Sequence, residues 1–235
     1  MSSPDVLAAL SSVTTATLTT ILFKKGLRNV WLRGTAPLAA GQQRVAGPAF
    51  TLRFLPQRED LATPAAWSSP TSTRAAVEAM PAGCVVVADT AGIADAGIFG
   101  DILCARMRQR QVAGLVTAGA VRDRAGIVQT GLPVWCSAAA APPAVAQLAF
   151  VGWQQPVACG GVAVFPQDII VADEDGAIVI PAALTGEVAA QALEQERTEA
   201  WILDQVLQGA PLTGLYPLSP ENQARYEAYS KGRDG

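Results

Sequence analysis

The hydrophobic residues of this chain follow two spacings, and the alternation between them predicts both helices and strands. Apolar positions at helical spacing predict four helices, at residues 4–26, 73–80, 101–111 and 182–209. Short apolar or β-branched runs bounded by turn residues predict strands at residues 45–54, 84–89, 115–117, 133–135, 160–164, 168–172 and 177–180. Asp175-Gly176 separates the last two runs and indicates a hairpin turn.

The order of these elements predicts an α/β fold with one mixed sheet. Strands alternate with helices in the middle of the chain and then follow one another directly, which favours a β/β/α layering. Residues 53–72 are expected to form a long polar loop. We expect residues 1–210 to make a single domain and residues 211–235 to be a C-terminal tail that is not an independent domain. The tail, with the C-terminal helix, is expected to pack on a neighbouring subunit.

The composition excludes several classes of protein. The chain has 235 residues, of which 50% are hydrophobic and 16% charged, and its net charge is −3. A nucleic-acid partner would need a basic face, and nothing in the sequence provides one. There is no apolar run of membrane length and no basic-then-apolar pattern at the N-terminus, so we expect no membrane partner and a cytoplasmic location.

Two missing or rare residue types restrict the chemistry further. The chain has no histidine, which excludes Ser-His and Cys-His catalysis and histidine metal ligands. The lysines are Lys24 and Lys25, which lie side by side in an expected surface segment, and Lys231, which lies near the C-terminus. A Schiff-base lysine needs a desolvated pocket, and none of the three is placed for one. Any carbon–carbon chemistry here would therefore rest on a metal. The four cysteines are too widely spaced for a zinc or redox motif and are expected to be buried thiols.

The strongest candidate site combines two short motifs, Gly100-Asp101-Ile102-Leu103 and Arg122-Asp123. Between Asp101 and Arg122 lie 122 − 101 − 1 = 20 residues, enough for a helix and a strand that bring both ends together. Two carboxylates beside a guanidinium can hold a hard divalent cation and bind a carboxylate next to it. The simpler alternatives are that Asp101 caps its own helix and that Arg122 and Asp123 form a structural salt bridge.

Other polar and aromatic residues have simpler explanations. The acidic residues at 168 and 173–175 surround the predicted hairpin and are more typical of turns than of ligands. The glutamates at 194, 196 and 199 are expected on a solvated helix face, although one could reach a neighbouring subunit's site. The five tryptophans are expected to be core or interface anchors, because basic residues do not interleave with them.

The combined motifs resemble one known family. Gly100-Asp101, the 20-residue interval and Arg122-Asp123 are followed by Gly131-Leu132-Pro133-Val134 and then by residues 165–176, FPQDIIVADEDG. Together they resemble the family of 4-hydroxy-4-methyl-2-oxoglutarate aldolases and the regulator of ribonuclease activity A. The resemblance runs from the N-terminal helix to about Tyr216, and it rests on the combination, because each part alone is weak.

The resemblance implies a fold, an assembly and roles for individual residues. The fold would be of the swivelling β/β/α type, in homotrimers that can pair into hexamers, with a site between subunits. Asp123 would bind Mg²⁺ or Mn²⁺, and Asp101 would hold metal-bound water. Arg122 would bind the carboxylate and oxo oxygen of the substrate and stabilise the enolate, while backbone N–H groups from Gly100 through Ile102 to Leu103 would complete the carboxylate pocket. The ribonuclease regulators typically have glycine in place of Asp101, so its presence favours an enzyme.

The chain departs from the family pattern in two places. It has Ala118-Gly119 where relatives often have Asp-Gly before the Val-Arg-Asp run. It also has no basic residue at positions 140–146, where the aldolases carry a lysine. The usual substrate, which has extra carboxylates, is therefore in question, and the loop at residues 53–72 could reshape the pocket.

The sequence thus predicts a divalent-metal-dependent lyase of the class II pyruvyl aldolase type. It would cleave a small 4-hydroxy-2-oxo acid to pyruvate and a carbonyl compound, and the same enolate would serve oxaloacetate decarboxylation. With no histidine, a metal-bound water ordered by Asp101 is the leading candidate for the base. Two alternatives stay open: a non-catalytic protein that binds a ribonuclease, and a sugar-acid dehydratase on the same scaffold.

Overall fold

A computed structural model describes residues 4–60 and 63–232 of the chain. Its helices are α1 (Pro4–Ser12), α2 (Thr15–Lys24), α3 (Thr73–Ala79), α4 (Asp101–Gln109), α5 (Arg124–Thr130), α6 (Thr185–Leu207) and α7 (Pro220–Lys231). The first strands are β1 (Trp31–Leu32), β2 (Ala36–Pro37), β3 (Val45–Pro56), β4 (Val85–Asp89), β5 (Gly114–Thr117), β6 (Ala120–Val121) and β7 (Val134–Cys136). The remaining strands are β8 (Ala138–Ala139), β9 (Leu148–Trp153), β10 (Val157–Cys159), β11 (Val162–Val164), β12 (Ile169–Asp173) and β13 (Gly176–Ile180).

One mixed sheet organises the described part of the chain, as the sequence predicts. Its strand order is β1-β13-β12-β3-β4-β5-β7-β2, and β9 pairs with the C-terminal half of β3. The strands β3, β4, β5 and β7 are parallel, whereas β12 and β13 form the predicted antiparallel hairpin. Two further two-stranded sheets pair β10 with β11 and β6 with β8.

The central strands are buried on both faces, which explains their continuous apolar runs. Val85 and Val87 of β4 face a core shared with α1, α2 and α6. Val86 and Ala88 face a second core shared with α3, α4 and α5. Because successive side chains of a strand point to opposite faces, the two cores place helices on both sides of the sheet.

The predicted helix at residues 4–26 is two helices in the structure. The break falls at Val13-Thr14, and the two axes meet at 107°. Thr14 caps α2, because its hydroxyl accepts a hydrogen bond from Thr17 N at 3.2 Å. This side chain offers the backbone an alternative to a continuous helix. Among the described helices none alone is long and apolar enough to cross a membrane, and only the bent pair α1 and α2 meets both conditions together.

The C-terminal part of the chain is more regular than the sequence predicts. The helix predicted from residue 182 begins as a short 3₁₀ turn and becomes α6 at Thr185. The tail contains α7, which the sequence analysis does not predict because it has almost no apolar stripe. Tyr226 of α7 packs on Trp201 of α6, with ring centroids 5.7 Å apart. The tail thus contacts its own chain, and its packing on a neighbouring subunit stays a prediction.

Asp173 flanks the hairpin turn, as expected, but its side chain does not face solvent. Asp173 is buried, and its carboxylate accepts hydrogen bonds from the backbone and hydroxyl of Thr15, both at 2.7 Å. Arg44 Nε lies 3.8 Å from the same carboxylate. A polar residue in a turn motif can be recruited by a distant helix, and here Asp173 fixes the start of α2 on the sheet.

The expectation of a solvated face for the glutamates of α6 holds only in part, because Glu194 is exposed whereas Glu196 and Glu199 are half-buried. Glu196 accepts hydrogen bonds from Thr14 N and Thr14 Oγ1, both at 2.8 Å. Glu199 accepts from Thr17 Oγ1, and Glu194 accepts from Tyr226 Oη. These three side chains therefore hold α2 and α7 against α6.

The cysteines are free and buried, as predicted. Burial raises the pKa of Cys84, Cys104 and Cys159 to about 12, because the thiolate is poorly solvated inside the protein. The same cause raises the pKa of Cys136. Thiols with such pKa values are unsuited to nucleophilic chemistry at neutral pH.

Candidate active site

Two helices begin side by side at the predicted site. Gly100 precedes the first residue of α4, and Asp123 precedes the first residue of α5. The chain segments that lead into them are hydrogen-bonded to each other, from Ile98 N to Ala120 O at 3.0 Å and from Arg122 N to Phe99 O at 2.9 Å. This short pairing is how the 20-residue interval brings the two motifs together.

Glycines allow the two motifs to approach each other closely. A Cβ atom on Gly100 would lie 2.6 Å from Asp123 Oδ2. A Cβ atom on Gly126, in α5, would lie 2.8 Å from the Cβ atom of Asp101. Asp123 therefore lies against Gly100, and Asp101 lies against Gly126. A larger residue at either glycine would displace a carboxylate.

The polar side chains at this point form a compact charged group. Arg122 Nε donates to Asp123 Oδ2 at 3.2 Å, and both side chains are only partly exposed, at 38% and 46%. Asp123 has a left-handed backbone with φ of 55°, which is uncommon for a residue with a side chain and is concentrated at functional sites. The predicted salt bridge thus exists, but it faces a cavity instead of stabilising a packed surface.

Asp101 is the first residue of α4 and not its cap. The cap position belongs to Gly100, which has no side chain to bond the helix. Asp101 Oδ1 instead accepts from the next residue, Ile102 N, at 2.7 Å. The first backbone bond of the helix runs from Cys104 N to Gly100 O, so the N–H groups of Asp101 and Leu103 precede the helical ladder. The start of α4 therefore presents N–H donors and a partial positive charge, which suit a carboxylate.

A cavity of about 720 Å³ is lined by every predicted site residue: Gly100, Asp101, Ile102, Leu103, Arg122 and Asp123. Its remaining walls come from the segment before α3 and the first turn of α3, the 3₁₀ turn at Ala144–Ala146, and β9. A second cavity, of about 580 Å³, lies beside α2 and contains none of these residues.

Several wall residues are not predicted from the sequence. Arg74 of α3 adds a second cation to the cavity, and Ser69 and Thr71 add hydroxyls. The later part of the loop at residues 53–72 therefore does shape the pocket, whereas Arg58 and Asp60 pair with each other in solvent. No motif marks these wall residues, because the tertiary fold and not a local sequence pattern brings this segment to the site.

The carboxylates of the cavity fit a hard divalent cation. Asp101 and Asp123 are its acidic lining residues, and the Asp123 carboxylate lies in a cradle that a Cβ atom on Gly100 would fill. No group of three metal-ligating side chains occurs among residues 4–60 and 63–232. Mg²⁺ is compatible with that arrangement, because it keeps several waters and often takes only one or two protein carboxylates together with its substrate.

Two curated proteins are similar in sequence to this chain. The chain is 30% identical over 209 residues to protein DlpA of Legionella pneumophila, covering 89% of this chain and 33% of that protein. It is 32% identical over 149 residues to a protein of Halalkalibacterium halodurans provisionally named as a 4-hydroxy-4-methyl-2-oxoglutarate aldolase, covering 62% of this chain and 63% of that protein. This chain therefore spans about a third of the first relative and less than two thirds of the second.

A solved structure and a family model identify the fold. The structure of RraAS2 from Streptomyces coelicolor, described as an unusual member of the RNase ES inhibitor RraA protein family, superposes with a TM-score of 0.76 and 32% identity. The match covers 85% of this chain and 96% of that one. The model of the RraA-like family, described as aldolase/RraA, matches residues 15–179, which contain the sheet, α4, α5 and every predicted site residue. The chain belongs to the RraA-like family.

Proposed function

We propose that this protein is a divalent-metal-dependent lyase that cleaves a small 4-hydroxy-2-oxo acid to pyruvate and a carbonyl compound. The observation that carries the proposal is the meeting of Asp101, Arg122 and Asp123 at the start of α4, in one cavity. A cation, two carboxylates and free helix N–H groups are the parts that a 2-oxo acid and a divalent ion require. The relative provisionally named as an aldolase supports the same reaction class.

The side chains can be assigned to the two ends of the substrate. We assign the substrate carboxylate to the N–H groups of Asp101 and Leu103 and to the guanidinium of Arg122. The same guanidinium would lie beside the 2-oxo oxygen, where negative charge develops as the enolate forms. Asp123 is the residue that would hold Mg²⁺ or Mn²⁺, and the ion would polarise the 2-oxo group. Asp101 would order a water beside it.

The reaction balances without a further co-reactant. The C4 hydroxyl loses its proton and becomes a carbonyl oxygen, and the C3–C4 bond breaks. Its electron pair passes into the C2–C3 enolate, which takes up a proton at C3 to give pyruvate. We assign Asp101 as the group that receives the hydroxyl proton through an ordered water, because the chain has no histidine. Decarboxylation of oxaloacetate would give the same enolate.

Metal dependence is the direct test of this proposal. Dialysed protein should release pyruvate from at least one acid in a panel of 4-hydroxy-2-oxo acids and oxaloacetate when Mg²⁺ is present. Excess EDTA should abolish the activity, and Mg²⁺ or Mn²⁺ in excess over EDTA should restore it. Full activity in EDTA after dialysis would contradict the assignment to metal-dependent lyases.

The second candidate is a non-catalytic regulator that binds a ribonuclease. It is favoured by the likeness to RraAS2, which belongs to the RNase ES inhibitor family by its description. The two candidates separate cleanly in one comparison. If the protein forms no pyruvate from any acid in the panel but binds a purified endoribonuclease and lowers its activity, the regulator is the better assignment.

A further inference from the structure

The cavity is polar at one end and apolar along another wall, and this division bears on the substrate. The polar end consists of Asp101, Arg122 and Asp123. The apolar wall consists of Pro143, Val145, Leu148, Phe150 and Val151, with Phe54 behind them. The wall comes from the 3₁₀ turn at Ala144–Ala146 and from β9, so the sheet holds much of it in place.

Aromatic packing stiffens this wall. Phe54 is 1% exposed and contacts Phe150 edge-to-face, with ring centroids 5.1 Å apart. Phe150 also stacks on Trp153, at 6.3 Å and an interplanar angle of 12°. On its other side Phe54 contacts Phe99, which precedes the Gly100-Asp101 motif, at 6.5 Å. The apolar wall is thus continuous with the polar end through one row of rings.

The wall itself carries no charged side chain among the described lining residues. Among the described lining residues the charged ones are Arg74, Asp101, Arg122 and Asp123, and none of them belongs to the turn at Ala144–Ala146 or to β9. A carboxylate placed against the wall would lose its hydration without gaining an ionic partner from the wall residues themselves. A hydrocarbon group in the same position would bury its surface against aliphatic and aromatic side chains.

We propose that the far half of the preferred substrate is an apolar group, aromatic or branched, so that the enzyme favours 2-oxo acids without a second carboxylate. This inference rests on the proposed function, since it assumes that the 2-oxo acid end lies at Arg122. It assigns to Val145, Phe150 and Val151 the role of specificity residues that contact the substituent beyond C3. A hydrophobic contact of this kind is typically worth about 10–200-fold in discrimination.

Binding of two unreactive acids tests the inference without any turnover. 4-Phenyl-2-oxobutanoate and 2-oxoglutarate share the 2-oxo acid end, lack the 4-hydroxyl group and differ in a distal phenyl or carboxylate. Calorimetry on the full chain with Mg²⁺ should give a Kd at least about tenfold lower for the phenyl acid. Equal affinities, or tighter binding of 2-oxoglutarate, would overturn the proposal. If 2-oxoglutarate bound more tightly and Arg74→Gln removed that preference, Arg74 would be the residue that binds the distal carboxylate of the substrate.

Two variants in one turn localise the effect. Val145→Lys puts an ammonium group on the wall and should reduce the preference for the phenyl acid at least about tenfold. Ala146→Lys adds the same charge at the next, exposed position, which does not line the cavity, and should leave the preference unchanged. Equal effects of both variants would show that bulk charge, and not the wall, sets the preference. If Val145→Lys does not fold, the comparison of the two acids on the parent protein still decides.

A separate measurement keeps this inference distinct from the proposed function. Exchange of the C3 protons of pyruvate in deuterated water, followed by NMR, reports enolate formation and needs no distal group. Exchange without a preference for the phenyl acid would leave the lyase standing and overturn the apolar subsite. A preference for the phenyl acid without exchange and without pyruvate release would support the subsite and overturn the lyase.

Discussion

At the scale of single residues, substitution of Arg122 distinguishes a catalytic site from a surface that only binds a partner. Its guanidinium should contact the substrate carboxylate throughout and the enolate oxygen most strongly in the transition state. Losing a charge-assisted contact of this kind typically costs about 3–5 kcal/mol, or roughly 10²–10⁴ in kcat/KM. Arg122→Lys should not recover the loss, because an ammonium cannot make two parallel bonds. Asp101→Asn should retain pyruvate binding and slow turnover.

The neighbouring Arg124 gives the matched control for this experiment. Its Nη2 donates to Leu38 O at 2.8 Å, and it does not line the cavity. Arg124→Lys should therefore keep the parent kcat/KM. The roles given to Arg122 and Asp101 would be wrong if both of their variants fold, bind Mg²⁺ and turn over a 2-oxo acid at the parent rate.

Gly100 tests whether the position of the Asp123 carboxylate matters. Gly100→Ala would put a Cβ atom 2.6 Å from Asp123 Oδ2 and push that carboxylate away. We expect about 10–100-fold weaker binding of Mn²⁺, measured by titration, as is typical when the support of a metal ligand is lost. Gly186→Ala in α6 is the control, because a Cβ atom there meets nothing within 4 Å. Equal Mn²⁺ affinity in the parent and both variants would remove Asp123 from the metal site.

The polar half of the site could be predicted from the sequence, and its apolar half could not. Asp101, Arg122 and Asp123 are charged residues at a fixed interval in a chain with few charges, so they can be recognised in the sequence itself. Phe150 and Val151 look like any other strand residues, because only the pairing of β9 with β3 brings them to the cavity. Asp173 is the opposite case. The sequence around it shows a turn motif, but nothing local indicates its hydrogen bonds to Thr15.

At the scale of elements, the contact between α2 and α6 predicts a pH-dependent stability. Burial alone would raise the pKa of Glu196, but the hydrogen bonds from Thr14 outweigh it, with smaller contributions from Thr17 and Arg44, and keep the pKa below its ordinary value. A group whose pKa is lowered by folding stabilises the protein above its unfolded pKa, near 4.3, and this stabilisation is lost as the pH falls through the folded value.

Glu196→Gln should therefore lower the free energy of unfolding at pH 7 by about 1 kcal/mol, since the carboxylate is partly solvated. The difference from the parent should shrink as the pH falls below about 4. Urea unfolding at several pH values measures both effects. Glu59→Gln, at an exposed loop position, should show neither. A constant difference across this pH range would mean that the charge of Glu196 does not contribute.

Helices and strands could be predicted wherever the spacing of apolar residues in the sequence matches the residues that are buried in the fold. The buried strands and α4 follow from short apolar runs and from the Gly-Asp start. The break between α1 and α2 was missed, because apolar spacing continues across it while Thr14 and Glu196 fix the turn from outside. In α7, Tyr226 is the buried residue, so no apolar stripe was available to predict that helix.

At the scale of the whole molecule, the described surface leaves apolar side chains exposed near the end of α6. Leu203 and Leu207 lie one turn apart on α6, and Leu212 and Tyr216 follow in the segment before α7. They are 58%, 77%, 59% and 61% exposed. Closed homo-oligomers bury such patches against identical copies, and the sequence resemblance implies trimers or hexamers.

We therefore expect sedimentation at micromolar concentration to give a mass of three or six times 24.3 kDa. Leu207→Glu puts a charge in the exposed patch and should shift the distribution toward smaller species, because an unpaired carboxylate is costly to bury. Gln208→Glu, at the next position, which is also exposed, is the matched control and should leave the mass unchanged. A parent protein that sediments only as a monomer would exclude a site shared between subunits, and the cavity of one chain would then have to contain the whole of the chemistry. An oligomer that both variants leave intact would keep the assembly but move its interface away from the end of α6.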